Sequence, residues 1–184
     1  MSIVCLGWGS LLWDPRELPA DADWSHDGPQ LPIEFARQSG DGRITLVVTP
    51  GAAPIKVFSA PLTVSSIDDA RYALAEREGV SSRFVSRSVG FWTRESGSDH
   101  PERHAVACWA SEAEHDGVVW TALKPKFGND YVTPTCEQVV SYLDGLAGET
   151  REKAETYVRR TPVQVRTSYR ETIHQVLGWM PSDD

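Results

Sequence analysis

Apolar and polar positions along the chain predict strands first and helices last. Ser2–Leu6 is a short apolar run that ends at Gly7, which reads as a strand, and Gly7-Trp8-Gly9-Ser10 follows as a tight turn. Asp14–Gln30 is rich in Pro, Asp and Gly and reads as a loop. Leu31–Arg37 and Arg43–Thr49 flank Gly40-Asp41-Gly42, a hairpin signal. Lys56–Val64 is a further strand, with Pro61 marking an edge or a bulge. Ser65-Ser66-Ile67-Asp68-Asp69 opens a helix: a Ser at the cap precedes acidic residues in the first turn, which suits the dipole. That helix is expected to run to Glu78 and stop at Gly79. Arg83–Thr93, His104–Ser111 and Val118–Leu123 read as three more strands, with Asp116-Gly117 turning between the last two.

From Pro134 the spacing becomes helical. Thr135 caps one predicted helix, Thr150–Arg160 forms a second, and Thr167–Leu177 a third that Gly178 ends. No linker or internal repeat divides the 184 residues, so the expectation is one domain, 1–184, with 134–184 as a helical C-terminal segment. Strands first, one inserted helix and a helical tail predict an α+β fold: a small mixed sheet or closed barrel with helices packed on it.

Charge and composition narrow the function. Lys plus Arg is 18 and Asp plus Glu 26, a net charge of −8, which argues against a nucleic-acid groove and against a basic membrane patch. Hydrophobic residues at 40%, together with 14 Gly, suffice for an ordinary globular core. No apolar run is long enough to span a bilayer, and the N-terminus lacks the basic region of a signal peptide, so a cytoplasmic location is expected. Cys5, Cys108 and Cys136 are widely spaced, which suits neither a disulfide framework nor a zinc knuckle. Cys5 and Cys108 are expected to be buried strand residues, as are Trp92, Trp109 and Trp120.

Two segments stand out chemically. In Leu6-Gly7-Trp8-Gly9-Ser10-Leu11-Leu12-Trp13, two glycines surround a Trp at the end of a strand. Such a turn lets the backbone approach a ligand, and its successive amides can cradle an anion. The second segment is the end of the inserted helix. At about 100° per residue, with Ile67 at the origin, Ala70, Leu74 and Glu78 fall near 300°, 340° and 20°, and Glu76 near 180°. Glu78 therefore extends the apolar stripe, where desolvation would suit its carboxylate to proton transfer, unless it reaches solvent or pairs with Arg83. Arg37 and Arg43 in the hairpin are candidates to meet a substrate carboxylate, or else to form surface ion pairs.

Both segments together resemble the γ-glutamylcyclotransferase superfamily, closest to its glutathione-degrading ChaC-like branch. That branch carries a first motif near G-Y-G-S-L-I-W, against Gly7-Trp8-Gly9-Ser10-Leu11-Leu12-Trp13 here, and a later Leu-x-x-Arg-Glu, against Leu74–Glu78. Between them, Phe35, Ser39, Gly42-Arg43 and Thr45-Leu46-Val47 follow in similar order. The resemblance implies a lyase, independent of metal and cofactor, that releases 5-oxoproline and an amine from a small γ-glutamyl amide or peptide. It implies Glu78 as the catalytic acid and base, and Trp8, Gly9, Ser10 and Leu11 around the γ-glutamyl group. Gly128-Asn129-Asp130-Tyr131 resembles a later segment of the same branch and implies a site hydroxyl from Tyr131. Trp8 stands where the branch has Tyr, and Gly79-Val80-Ser81 where it has a Met. The alternative from another class is a non-catalytic ligand- or protein-binding module on the same fold.

Overall fold

The computed structural model describes residues 2–20 and 23–182. Asp21 and Ala22 of the predicted loop, and Asp183 and Asp184 of the predicted tail, lie outside the described residues. In chain order the elements are β1 (Ile3–Gly7), β2 (Gln30–Gln38), β3 (Ile44–Val48), β4 (Pro54–Lys56), β5 (Phe58–Pro61), α1 (Ile67–Arg77), the single turn α2 (Val85–Ser88), β6 (Val89–Thr93), α3 (Arg103–Glu112), β7 (Gly117–Thr121), α4 (Cys136–Asp144), α5 (Gly148–Arg160) and α6 (Ser168–Leu177). This is an α+β chain with two sheets. Among the described residues neither sheet closes into a barrel.

The chain forms two compact units. The first comprises Met1–Gly7, Asp14–Leu31 and Lys56–Leu123; the second Trp8–Trp13, Pro32–Ile55 and Lys124–Asp184. The first is built on the four-stranded sheet β5-β1-β7-β6, in which β1 runs parallel to β7 and antiparallel to β5. Every residue of β1 and of β7 is buried, as expected of inner strands with apolar side chains on both faces. Pro61 falls on the edge strand β5, where its missing N–H costs no ladder bond. Helix α1 packs on β1, β6 and β7. Ser66 caps it by accepting from the Asp69 amide, and Gly79 ends it at φ +67°.

One predicted strand is wrong. His104–Ser111 lies within helix α3, whose buried residues Val106 and Ala110 are four apart. A short apolar run does not by itself separate strand from helix. The consequence is chemical as well as structural: Cys108 is exposed, and half-buried Trp109 donates its indole N–H to the Asp27 carbonyl at 2.8 Å. The predicted strand Arg83–Thr93 also begins late, because residues 82–88 wind into a 3-10 turn and α2 before β6 starts at Val89.

The second unit holds the sheet β3-β2-β4, apart from its outermost residues Gln30, Leu31 and Lys56, together with α4, α5 and α6. Two buried charges organise it. Glu34, 3% exposed, accepts from the Thr167 hydroxyl, the Ser168 hydroxyl and the Tyr169 amide, so a β2 carboxylate joins the N-terminus of α6. Arg170, 2% exposed, donates to the carbonyls of Val158, Thr161, Pro162 and Val165, which closes the C-terminus of α5. Burial lowers the Arg170 pKa to about 10.

Candidate functional site

In the first unit, Glu78 is the C-cap residue of α1. Its Oε1 accepts from Arg77 Nη1 at 2.7 Å, and the two side chains are 17% and 6% exposed. Arg77 is held in turn by the Asp14 carbonyl, to which Nε and Nη2 donate at 3.2 and 2.8 Å. The expected alternative partner, Arg83, belongs instead to a cation–π contact with Phe84. Glu76 is exposed, as its position opposite the apolar stripe requires. Oε2 of Glu78 has no protein donor among the described residues. One carboxylate oxygen is thus oriented by the Arg77 guanidinium. The Cys5 thiol lies close enough to register this charge: burial first, and then the field of Glu78, push its pKa upward. Cys5 is therefore a buried apolar group and not a nucleophile.

In the second unit, Trp8-Gly9-Ser10-Leu11 leads into a 3-10 turn over Ser10–Leu12. The Leu12 and Trp13 amides return to the Gly9 and Ser10 carbonyls at 3.0 and 3.3 Å. Gly9 is required sterically: a Cβ there would lie 2.5 Å from Tyr157 Oη. That hydroxyl accepts from the Leu46 amide at 3.2 Å, while Trp8 Nε1 donates to the Leu46 carbonyl at 3.2 Å. Leu46 sits on the edge strand β3, so the Trp8 indole and the Tyr157 hydroxyl satisfy backbone groups that no neighbouring strand reaches. Trp8 is only 4% exposed and, with its N–H engaged, serves as a core residue. Leu11 is likewise buried, and Ser10 half-buried.

Arg43 lies over the Tyr157 ring, 5.4 Å from its centroid, and pairs with Asp41 at 2.8 Å. Burial of Asp41 opposes its ionisation, but hydrogen bonds from Ser39 and Arg43 outweigh it and hold the carboxyl below its ordinary value. Arg43, Tyr157, Trp13 and Lys153 are among the walls of a cleft of about 450 Å³. Tyr131 is not one of them and is 71% exposed. Arg37 donates to the Lys124 carbonyl at 2.6 Å. Among the described residues, no three His, Cys, Asp or Glu side chains are grouped to hold a metal ion.

The structure thus brings Trp8, Gly9 and Arg43 around one residue that sequence reasoning passed over. Tyr157 sits among charged residues of α5, but Ala154, Tyr157 and Val158 share the buried i, i+3, i+4 face that would have marked it. Arg77 was legible in the same way, since its position near 280° falls beside Ala70 on the buried side of α1.

Fold and local geometry define an α+β protein with a glycine-bounded turn and a nearly buried carboxylate at a helix end. No protein-family model and no curated protein sequence matches the chain. No helix is long and apolar enough to cross a membrane among the described residues.

Proposed function

We propose that this chain is a γ-glutamylcyclotransferase-like lyase acting on a small γ-glutamyl amide or peptide. The observation that supports the reading is Glu78 at the C-terminal end of α1, with its side chain 17% exposed and Oε1 oriented by Arg77. The substrate's α-amine attacks its own γ-carbonyl carbon, forming the ring C–N bond, and the original γ-amide C–N bond breaks. Glu78 takes the proton from the attacking amine and delivers it to the leaving amine, so 5-oxoproline and a free amine result. Attack within one molecule has an effective concentration of roughly 10⁵–10⁸ M, so neither metal nor covalent nucleophile is needed. The resemblance implies the amides of Gly9, Ser10 and Leu11 as the groups that hold the γ-glutamyl unit, since backbone amide donors suit the oxyanion that develops on its carbonyl. Arg43 and Tyr131 remain candidates for contacts outside this core.

A second reading is favoured by one specific observation. The Trp8 indole N–H is spent on the Leu46 carbonyl, so the position where the ChaC-like branch carries a phenol is structural here. That supports a non-catalytic module that binds a γ-glutamyl ligand or a protein without turning it over. Incubation with a panel of γ-glutamyl amides, glutathione included, separates the readings. 5-Oxoproline from the wild type supports the lyase, free glutamate identifies a hydrolase, and binding without product identifies the module.

A further inference from the structure

We propose that the Thr121 hydroxyl is a substrate-facing hydrogen-bond donor on the same face as Glu78, directed at the γ-carbonyl oxygen. The inference rests on the cyclotransferase reading above. Thr121 ends β7 and is 9% exposed, and its Oγ1 is buried without a hydrogen-bond partner among the described residues. Buried hydroxyls are almost always paired, so an orphan of this kind calls for a partner.

Its position says what that partner would be. Cys5 lies opposite Val119 and Leu6 opposite Trp120 in the parallel pair β1–β7, so one further step sets Gly7 opposite Thr121. The two parallel strands, the one parallel pair of this mixed sheet among the described residues, therefore finish side by side. Side chains alternate along a strand, so Gly117, Val119 and Thr121 share one face with Ile3 and Cys5.

Helix α1 lies on that face. A Cβ on Gly117 would meet Ile67 Cδ1 at 3.0 Å and Ile3 Cγ1 at 3.3 Å. One turn later, the Arg71 guanidinium lies over Phe91, 4.3 Å from its centroid, and Phe91 is opposite Val119. The helix thus advances in the direction of β7. From Ile67 to Glu78 it rises about 16 Å; from Gly117 to Thr121 the strand rises about 13 Å. Glu78 and Thr121 consequently reach the same end of the same face. The field of Glu78 at Cys5, two residues before the end of β1, agrees with this placement.

A hydroxyl there can donate to the γ-carbonyl oxygen as it gains negative charge, which is worth most in the transition state. Thr121→Val removes the donor and keeps the shape, while Thr121→Ser keeps the donor. Each is assayed for 5-oxoproline on the best substrate of the panel, alongside thermal unfolding. Thr121→Val is expected to lose at least about tenfold in kcat with KM nearly unchanged, and Thr121→Ser to retain most activity. Thr121→Val is also expected to unfold no earlier than wild type, since no protein hydrogen bond is lost. Wild-type kcat in Thr121→Val, or a clear loss of its stability, overturns the Thr121 assignment while leaving the lyase reading intact. A wild type that makes no 5-oxoproline from any substrate overturns both.

Discussion

Gly9 and Tyr157 offer a quantitative test of how the glycine turn is held. Gly9→Ala places a methyl group 2.5 Å from Tyr157 Oη, about an ångström inside van der Waals contact. Tyr157 cannot swing aside freely: it is buried, with Trp13 edge-on at 5.5 Å and Phe35 at 6.2 Å. Overpacking of this size costs about 1–3 kcal/mol. Tyr157→Phe alone removes the acceptor of the Leu46 amide and leaves a buried N–H unpaired, at about 1–3 kcal/mol. In the double variant the nearest remaining contacts of the new Cβ are Tyr157 Cζ at 3.5 Å and Leu46 Cδ1 at 3.9 Å, both ordinary. The double variant should therefore be about as stable as Tyr157→Phe alone, with a coupling of about 1–3 kcal/mol in its favour. Urea unfolding of the four proteins measures it through midpoints at constant slope. Strictly additive losses would refute the argument, because they would mean that the Tyr157 hydroxyl is not what excludes a side chain at position 9.

Three further outcomes follow from the same geometry. Arg170→Leu strands the carbonyls of Thr161, Pro162 and Val165 in the core and should destabilise the protein by about 3 kcal/mol or more in denaturant unfolding, with Arg170→Lys recovering only part; a loss below about 1 kcal/mol would contradict the role assigned to it. Burial lowers the pKa of both His115 and His174 from 6.5. The unfolded chain then binds more protons below about pH 6.5, so stability should fall as pH drops from about 7 through that range. Unfolding midpoints measured against pH should lose part of this slope in His115→Gln and in His174→Gln, and an unchanged slope in both would count against the assignment. A thiol reagent followed by peptide mass analysis should modify exposed Cys108 first and half-buried Cys136 next, with Cys5 modified only on unfolding; early labelling of Cys5 would contradict its burial.

Local chemistry made much of the fold readable. The Ser66 cap and the Gly79 stop bound α1, the Asp41-Gly42 turn joins β2 to β3, and Thr135 and Thr167 cap α4 and α6, because each feature acts within a few residues. The same holds for Glu78, whose place on the buried side of α1 follows from helical period alone. Where the reading failed, or stopped, tertiary context decided. The apolar run Val106–Ala110 carries no local signal that separates helix from strand, and α3 is fixed by what Val106 and Ala110 pack against. Tyr157 reaches Gly9 across well over a hundred residues, a contact that no local window contains. Trp8 was expected near a ligand, yet the open edge of β3 claims its indole, and an edge appears only once strand order is known. The unpaired hydroxyl of Thr121 is likewise invisible until its neighbours are placed.

On the proposed mechanism, Glu78 moves the proton in an intramolecular cyclisation. Wild type and Glu78→Gln should be incubated with the γ-glutamyl panel and assayed for 5-oxoproline by mass spectrometry, with thermal unfolding as a control for folding. Gln keeps an oxygen for the Arg77 guanidinium, so the variant should fold normally, but it cannot take up a proton. Wild type should yield 5-oxoproline, and Glu78→Gln should lose turnover by at least about a hundredfold. Turnover by a folded Glu78→Gln variant at the wild-type rate would contradict that mechanism.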